Sequence, residues 1–488
     1  MSTFPQTPHF TGLNRPLTEE YDFDDLVVEG TLPAEVEGTF FRAIPNPTFA
    51  PFIEDPAVAL SPDGMVAAIR FRGGKVSAAI RYVETPRHLA EKAAGRALFG
   101  KYRNPFTDMA ETKGIDRAVV NTTPVFHGGR LLMTKEDSLA YQVDPETLET
   151  VGRFDFGGRL KSQTFTAHTR IDGKTGEMFF FGYEAEGLAT RTVSYGYADK
   201  AGNLVREQMF EVPYAAMMHD FTVTENYALF PVYPTKTDLE RLKAGGDHWI
   251  HDQEEHSWLG VMPRYGDVSE MKWFKGPKGV YSFHMFGAFE DADGNIHMDQ
   301  CIGNSALFYF IREASGIFMH DREVGHRVER WTVRWDGAAD VQTTVVGPPG
   351  DFPVIPAAQQ GYAYDHAWML TFNPQRTAPP VVGGVGNALF DTLLRIDFTG
   401  KPPQAFTLPA NGGFNEPVHV PSREPGHEGW LLAVADFELS PESSEHACLI
   451  FNAGDVAAGP VAKVILPRRQ RPQIHGCWVS AEKLATAN

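Results

Sequence analysis

The sequence predicts an all-β protein on three observations. Short aromatic and β-branched runs recur along the whole length, turn signals separate them, and helical patterning is confined to two brief segments. The strand-like runs include Met178 to Tyr183, Tyr227 to Tyr233, Trp430 to Phe437 and Cys448 to Phe451. Between runs of this kind lie Asp172-Gly173-Lys174, Asp293-Gly294-Asn295 and Asn411-Gly412-Gly413, where glycine or asparagine takes positive φ at little steric cost. A helix is expected over Thr85 to Leu98, where a capping threonine precedes a first-turn proline and apolar residues recur at helical spacing. A shorter one is expected over Thr237 to Lys243. No Ser/Gly-rich or highly charged linker divides the 488 residues, and no strict repeat of about 40 to 50 residues is visible. A single propeller of degenerate blades, covering residues 1–488 with a short N-terminal arm over about 1–20, fits this better than a string of domains. Patterning leaves a pair of β-sandwiches open.

Composition removes several function classes. Lys and Arg number 44 against 62 Asp and Glu, a net charge of −18, which repels phosphate backbones and anionic headgroups and makes nucleic acid an unexpected partner. Cys301, Cys448 and Cys477 are odd in number and widely spaced, so neither a disulfide framework nor a CxxC knuckle can be drawn. A cytoplasmic protein is expected on that basis. The start, MSTFPQTPHFTGLNRP, lacks a basic segment followed by an apolar one, and no run approaches the roughly 18 apolar residues of a spanning helix. Stable membrane insertion is therefore not expected.

Among 17 histidines, ten lie among polar or turn residues and are expected to be solvated: His9, His88, His127, His248, His251, His256, His320, His326, His427 and His446. Four others stand in or beside apolar strand-like stretches: His168 in FTAHTR, His219 in MMHDF, His284 in SFHMF and His475 in QIHGCW. Their separations are 219−168 = 51, 284−219 = 65 and 475−284 = 191, far from the short spacing of HExxH or a zinc finger. Taken singly, each reads more readily as a hydrogen-bonded core histidine than as a ligand. A closed radial fold brings such positions together, because the innermost strand of each blade points at a common axis. Four neutral imidazoles there would suit iron, copper or zinc, with carboxylates behind them to accept the free ring N–H groups.

Longer runs carry a resemblance. DGMVAAIRFRGGKVSAAIRYVET (Asp63 to Thr85) resembles the amino-terminal blade of carotenoid cleavage oxygenases, and AGRALFGKYRNPFTD (Ala94 to Asp108) resembles their stilbene-cleaving, lignostilbene dioxygenase branch. NTTPVFHGGRLLMTKED, FTAHTR, MMHDF, GVMPRYG, FNEPVHVP and the closing PVAKVILPRR…IHGCWV follow in family order, so the resemblance spans nearly the whole chain. It implies a seven-bladed β-propeller with a loop and helical dome over an axial iron(II) held by His168, His219, His284 and His475. It also implies supporting carboxylates at Glu136, at Glu416, and at Asp351, where the family usually has a glutamate one methylene longer. Such an aspartate is expected to need a water or a backbone shift to reach its histidine.

The same resemblance implies the chemistry: O2-dependent cleavage of the central double bond of a 4-hydroxystilbene or lignin-derived stilbenoid into two aromatic aldehydes. Tyr102 and Lys135 match the pair that grips the phenol. A Lys ammonium beside a phenol favours the phenolate, whose electrons delocalise through the ring onto the alkene carbon. Stilbene cleavers often carry an aromatic residue three positions before the Asp of DGM. Here that position is Leu60, which implies a bulkier or differently substituted substrate. The rival readings are carotenoid or apocarotenoid cleavage on the same centre and, in another class, a propeller metallohydrolase, which would prefer carboxylate or mixed ligands. A homodimer is left open.

Overall fold

The computed structural model describes residues 3–316, 325–337 and 340–487, so His320 lies outside the described residues. The chain divides into two compact units, one of residues 1–101, 107–154 and 368–488, the other of residues 102–106 and 155–367.

In the first unit, a five-stranded sheet pairs Tyr21–Phe23, Lys75–Tyr82, Asp63–Arg72, Gly38–Asn46 and, from the far end of the chain, Gly476–Ser480. All nine residues of Gly38–Asn46 are buried, and strand alternation explains how. Phe40 joins a cluster with Val434, Ile450 and Val464 of a six-stranded sheet, while its neighbour Phe41 joins one with Leu131, Met133 and Val143 of a four-stranded sheet. Each such phenylalanine contributes roughly 1.5–3 kcal/mol by leaving water. Pairing of Phe41 with Cys477 fixes the segment that carries His475 to this doubly covered strand.

The second unit repeats one motif. Three four-stranded antiparallel meanders follow in chain order, starting at Arg170–Ile171, Thr222–Val223 and Tyr281–Glu290. Aromatic rings pack the sheets face to face: Phe221 lies 4.9 Å from Phe181, and Tyr233 lies 5.3 Å from Tyr281. Such pairs add about 0.5–1.5 kcal/mol each beyond area burial.

The run Met178–Tyr183 is a strand with the expected bounds, and the others extend or shorten by a few residues, as in Trp430–Ser440 and Tyr227–Val232. The first helix is shorter than expected, Pro86–Ala94, because Gly95 takes the left-handed conformation (φ 67°) and caps it. The second is Leu239–Lys243, capped by Asp238. The turn expected at Asn411-Gly412-Gly413 lies slightly earlier, closed by the Gly412 N–H on the Pro409 carbonyl at 2.8 Å, and Gly412 and Gly413 already belong to the strand Gly412–Phe414. Its glycines answer crowding rather than turning, since a Cβ on Gly413 would stand 2.4 Å from Leu389. Five of the histidines expected to be solvated, His88, His127, His248, His251 and His446, are buried. Partners distant in the sequence hold four of these rings: Asp63 lies 3.5 Å from His88, the Arg103 carbonyl 3.0 Å from His248, the Thr235 hydroxyl 2.8 Å from His251 and Asp436 2.6 Å from His446. The three cysteines are unpaired thiols.

Candidate metal centre

Three of the four singled-out histidines stand just ahead of a strand: His168 before Arg170–Ile171, His219 before Thr222–Val223 and His475 before Gly476–Ser480. Whereas the His475 carbonyl accepts the Ala43 N–H at 2.9 Å and continues the pairing with Gly38–Asn46, at His168 and His219 the backbone has left the preceding loop but not yet entered the ladder, so those side chains are not committed to a sheet face. His284 reaches the same freedom differently. It lies inside Tyr281–Glu290 where the pairing with Asn295–Gly303 shifts register on both sides of Met285, a bulge that re-aims its side chain.

One ring nitrogen from each of His168, His219, His284 and His475 lies within 4.8 Å of the others. The Nε2 atoms of His168 and His219 are 3.0 Å apart, and those of His219 and His284 3.3 Å. Two of the outer nitrogens are held by carboxylates. His284 Nδ1 is 2.7 Å from Asp351 Oδ1, and His475 Nδ1 is 2.9 Å from Glu416 Oε1. Each Nδ1–H donates outward, so each Nε2 presents a bare lone pair inward. Converging lone pairs repel unless a cation lies among them. Two nitrogens each about 2.1 Å from one ion at right angles would be about 3.0 Å apart, close to the observed spacing. The donor set therefore fits a divalent transition metal.

Asp351 reaches His284 directly despite its short arm, and the backbone makes the accommodation: the next residue, Phe352, has φ +55°, and its N–H donates to the same carboxylate at 2.8 Å. Its ring stacks on His284 at 5.3 Å. Burial alone would raise the Asp351 carboxyl, but the charge and hydrogen bond of His284 bring it below the usual carboxylate range. Glu416 uses its two oxygens separately, Oε1 for His475 and Oε2 for the Gly476 N–H at 2.8 Å. Gln473, two residues before His475, is fixed by Asn415, whose side-chain oxygen accepts the Gln473 N–H at 2.7 Å. Glu136 is buried in the first unit.

Lys135 and Leu60 are brought together. Both are buried, the ammonium donates to the Leu60 carbonyl, and the Asp137 carboxylate is 3.7 Å away. Tyr102 is buried in the second unit with its ring edge-on to His248, 6.4 Å between centroids. Around it stand residues that sequence reasoning missed. Arg103 forms a buried ion pair with Glu184 and donates to the Tyr183 hydroxyl at 2.7 Å. His248 Nδ1 lies 3.0 Å from the Arg103 carbonyl, and Nε2 lies 3.3 Å from Glu184. Burial would push the Glu184 carboxyl up, but Arg103 and then His248 hold it down at about 2. No local signal was available, since Arg103 stands in KYRNPF between Lys101 and Asn104, where an arginine reads as solvated.

Comparison with known proteins agrees with this geometry. A model of the family described as retinal pigment epithelial membrane protein (RPE65) matches residues 14–480. Lignostilbene-alpha,beta-dioxygenase isozyme III of Sphingomonas paucimobilis is 37% identical, with all of both chains covered. Isoeugenol monooxygenase of Pseudomonas putida is 35% identical over 98% of this chain and 100% of the relative. The crystal structure of Pseudomonas brassicacearum lignostilbene dioxygenase superposes with a TM-score of 0.93 at 35% identity, over 99% of this chain and 100% of that one.

Proposed function

The chain belongs to the RPE65, or carotenoid cleavage oxygenase, family as an alkene-cleaving oxygenase with a four-histidine metal site, and from that premise we propose that it is an iron(II) dioxygenase splitting the central double bond of a 4-hydroxystilbene or lignin-derived stilbenoid. One O2 is consumed, the C=C and O–O bonds break, and two aromatic aldehydes form. When bound, iron(II) supplies the centre at which dioxygen is activated. The residues that would hold it are His168, His219, His284 and His475, with Asp351 and Glu416 fixing two of the rings and Glu136 as a third supporting carboxylate. Seven of the eight sheets among the described residues have four or more strands, which supports a seven-bladed propeller as the frame.

The observation that carries the substrate reading is the buried ammonium of Lys135. Held out of water, it donates to the Leu60 carbonyl and lies 3.7 Å from the Asp137 carboxylate, so its charge is fixed beside Leu60. A phenol arriving there would be drawn toward phenolate by Coulomb attraction, and its oxygen's electrons would enrich the alkene. Tyr102 would donate to the same oxygen, and Leu60 would pack against the ring. The names of the 37% and 35% identical relatives, with a stilbene and isoeugenol, both describe a phenol conjugated to an alkene.

Anaerobic reconstitution with iron(II), then oxygen and a 4-hydroxystilbene, tests the reading. Two aldehydes per O2 are expected, and none from the 4-methoxy analogue. Cleavage of isoeugenol alone would favour the smaller propenylphenols, while cleavage of apocarotenoids with no activity on either phenol would overturn the phenolate mechanism. Lys135→Met is expected to lower kcat on phenolic substrate about 10²-fold or more with iron content unchanged.

A further inference from the structure

The short leading strands leave a mechanical problem. His168, His219 and His284 belong to three different sheets, and two of the leading strands, Arg170–Ile171 and Thr222–Val223, have only two residues each. The third is bulged at the ligand. Ladder hydrogen bonds run within a sheet, so they do not set the distance from one ligand-bearing segment to the next.

We propose that the buried pair Arg170–Asp220 is the positioning device that sets this distance. Arg170 follows His168 by two residues, Asp220 follows His219 by one, and Met285 follows His284 by one. The Arg170 guanidinium donates to Asp220 Oδ2 at 2.5 Å, to the Phe221 carbonyl at 2.7 Å and to the Met285 carbonyl at 3.2 Å. Asp220 completes the link, its Oδ2 accepting the Met285 N–H at 2.9 Å and its Oδ1 the Phe221 N–H at 2.7 Å. Four of these hydrogen bonds join three chain segments, each within two residues of a ligand, and the fifth fixes the Asp220 carboxylate on its own backbone.

The chemistry of the residues suits the task. A planar guanidinium with donors on several edges bridges three acceptors in a fixed geometry, which a lysine ammonium on a flexible stem does not. Arg170 and Asp220 are both buried, 8% and 2% exposed. A buried ion pair is weak as a source of stability, because desolvation offsets its attraction, and packed apolar side chains would do as well for the core alone. What apolar side chains would not supply is direction: four oriented bonds that hold three backbones at one spacing. Neither residue touches the inward ring nitrogens, so they act through His168, His219 and His284.

The test uses the full-length apoprotein and cobalt(II), whose visible absorption reports imidazole ligation independently of turnover. Arg170→Lys keeps the charge and loses the bridge, and Asp220→Asn keeps the shape and loses the acceptor charge. Both are expected to weaken cobalt(II) binding about 10- to 100-fold and to change the absorption band, at temperatures well below their melting transitions. Arg330→Lys is the control, since Arg330 forms a comparable fork on buried Asp299, at 2.7 and 2.8 Å, between paired strands of one sheet rather than between two ligand segments. It is expected to lower the melting temperature while leaving cobalt affinity and band unchanged. Should Arg170→Lys not fold, the isosteric Asp220→Asn carries the test. Parent-like affinity and band in the folded variants would overturn the proposal, and so would equal weakening by Arg330→Lys.

Discussion

Two kinds of carboxylate–histidine pair are buried in this molecule, and they use the same atoms for different ends. In Asp351–His284 and Glu416–His475 the carboxylate holds Nδ1 and leaves Nε2 facing other imidazoles. In Asp436–His446 the carboxylate also holds Nδ1, at 2.6 Å, but Nε2 is taken up by the Ser444 hydroxyl at 2.8 Å. In Glu184–His248 both ring nitrogens again meet protein oxygens, the Arg103 carbonyl and the carboxylate itself. A carboxylate behind a histidine therefore does not mark a ligand. What marks one is a second nitrogen directed at other imidazoles.

Breaking a pair of the second kind gives the largest expected effect on stability and none on metal. Glu184→Gln leaves Arg103 buried without its counter-charge, at a cost of about 3–5 kcal/mol by chemical denaturation, while cobalt(II) stoichiometry of the folded protein stays at the parent value. The loss depends on pH with a definite sign. The Glu184 carboxyl is held at about 2 against an ordinary 4.5, so its stabilisation is fully present above about pH 4.5 and disappears as pH falls toward 2. Melting temperatures of parent and Glu184→Gln should converge over that window, and a gap that persists undiminished to pH 2.5 would contradict the assignment.

Breaking pairs of the first kind should reverse the balance. Glu416→Ala and Asp351→Ala are each expected to weaken cobalt(II) binding by about 10- to 100-fold, with Glu416→Ala the more severe. Glu416 holds both the ring of His475 and the Gly476 N–H, whereas Asp351 gives one oxygen to His284 and to its own neighbour Phe352. Equal or inverted losses in parallel titrations would show that backbone anchoring contributes nothing to ligand position.

The contrast also explains how much was legible beforehand. Sheet content, the strand Met178–Tyr183 and the four ligand candidates could be read locally, because an apolar run with a histidine at its edge is a property of a few adjacent residues. Partners could not. His248 and His446 were grouped with solvated histidines because GGDHW and SSEHA look polar, yet their rings are held by Glu184, 64 residues away, and by Asp436 on the paired strand. Arg170 and Asp220 were passed over although each adjoins a ligand motif, since a charged residue beside a turn is ordinarily solvated. Asp351 is one methylene shorter than the glutamate usual in the family, and no sequence pattern announces that Phe352 takes φ +55° and closes the gap.

The smallest expected effect sharpens the comparison most. Ser444→Ala removes the hydroxyl on His446 Nε2 and gives that histidine the outward-held Nδ1 and released Nε2 that ligands have. The cost should be about 0.5–1.5 kcal/mol, that of one buried hydrogen bond. Cobalt(II) stoichiometry should not change, because a lone released nitrogen has no other imidazole to converge with, and the four ring nitrogens within 4.8 Å of one another do not include His446. A second cobalt equivalent bound tightly by Ser444→Ala, and lost again in Ser444→Ala/His446→Gln, would mean that release of one nitrogen is sufficient. Its absence would place the requirement in convergence, which is what the strand-edge positions of His168, His219 and His475 and the bulge at His284 bring about.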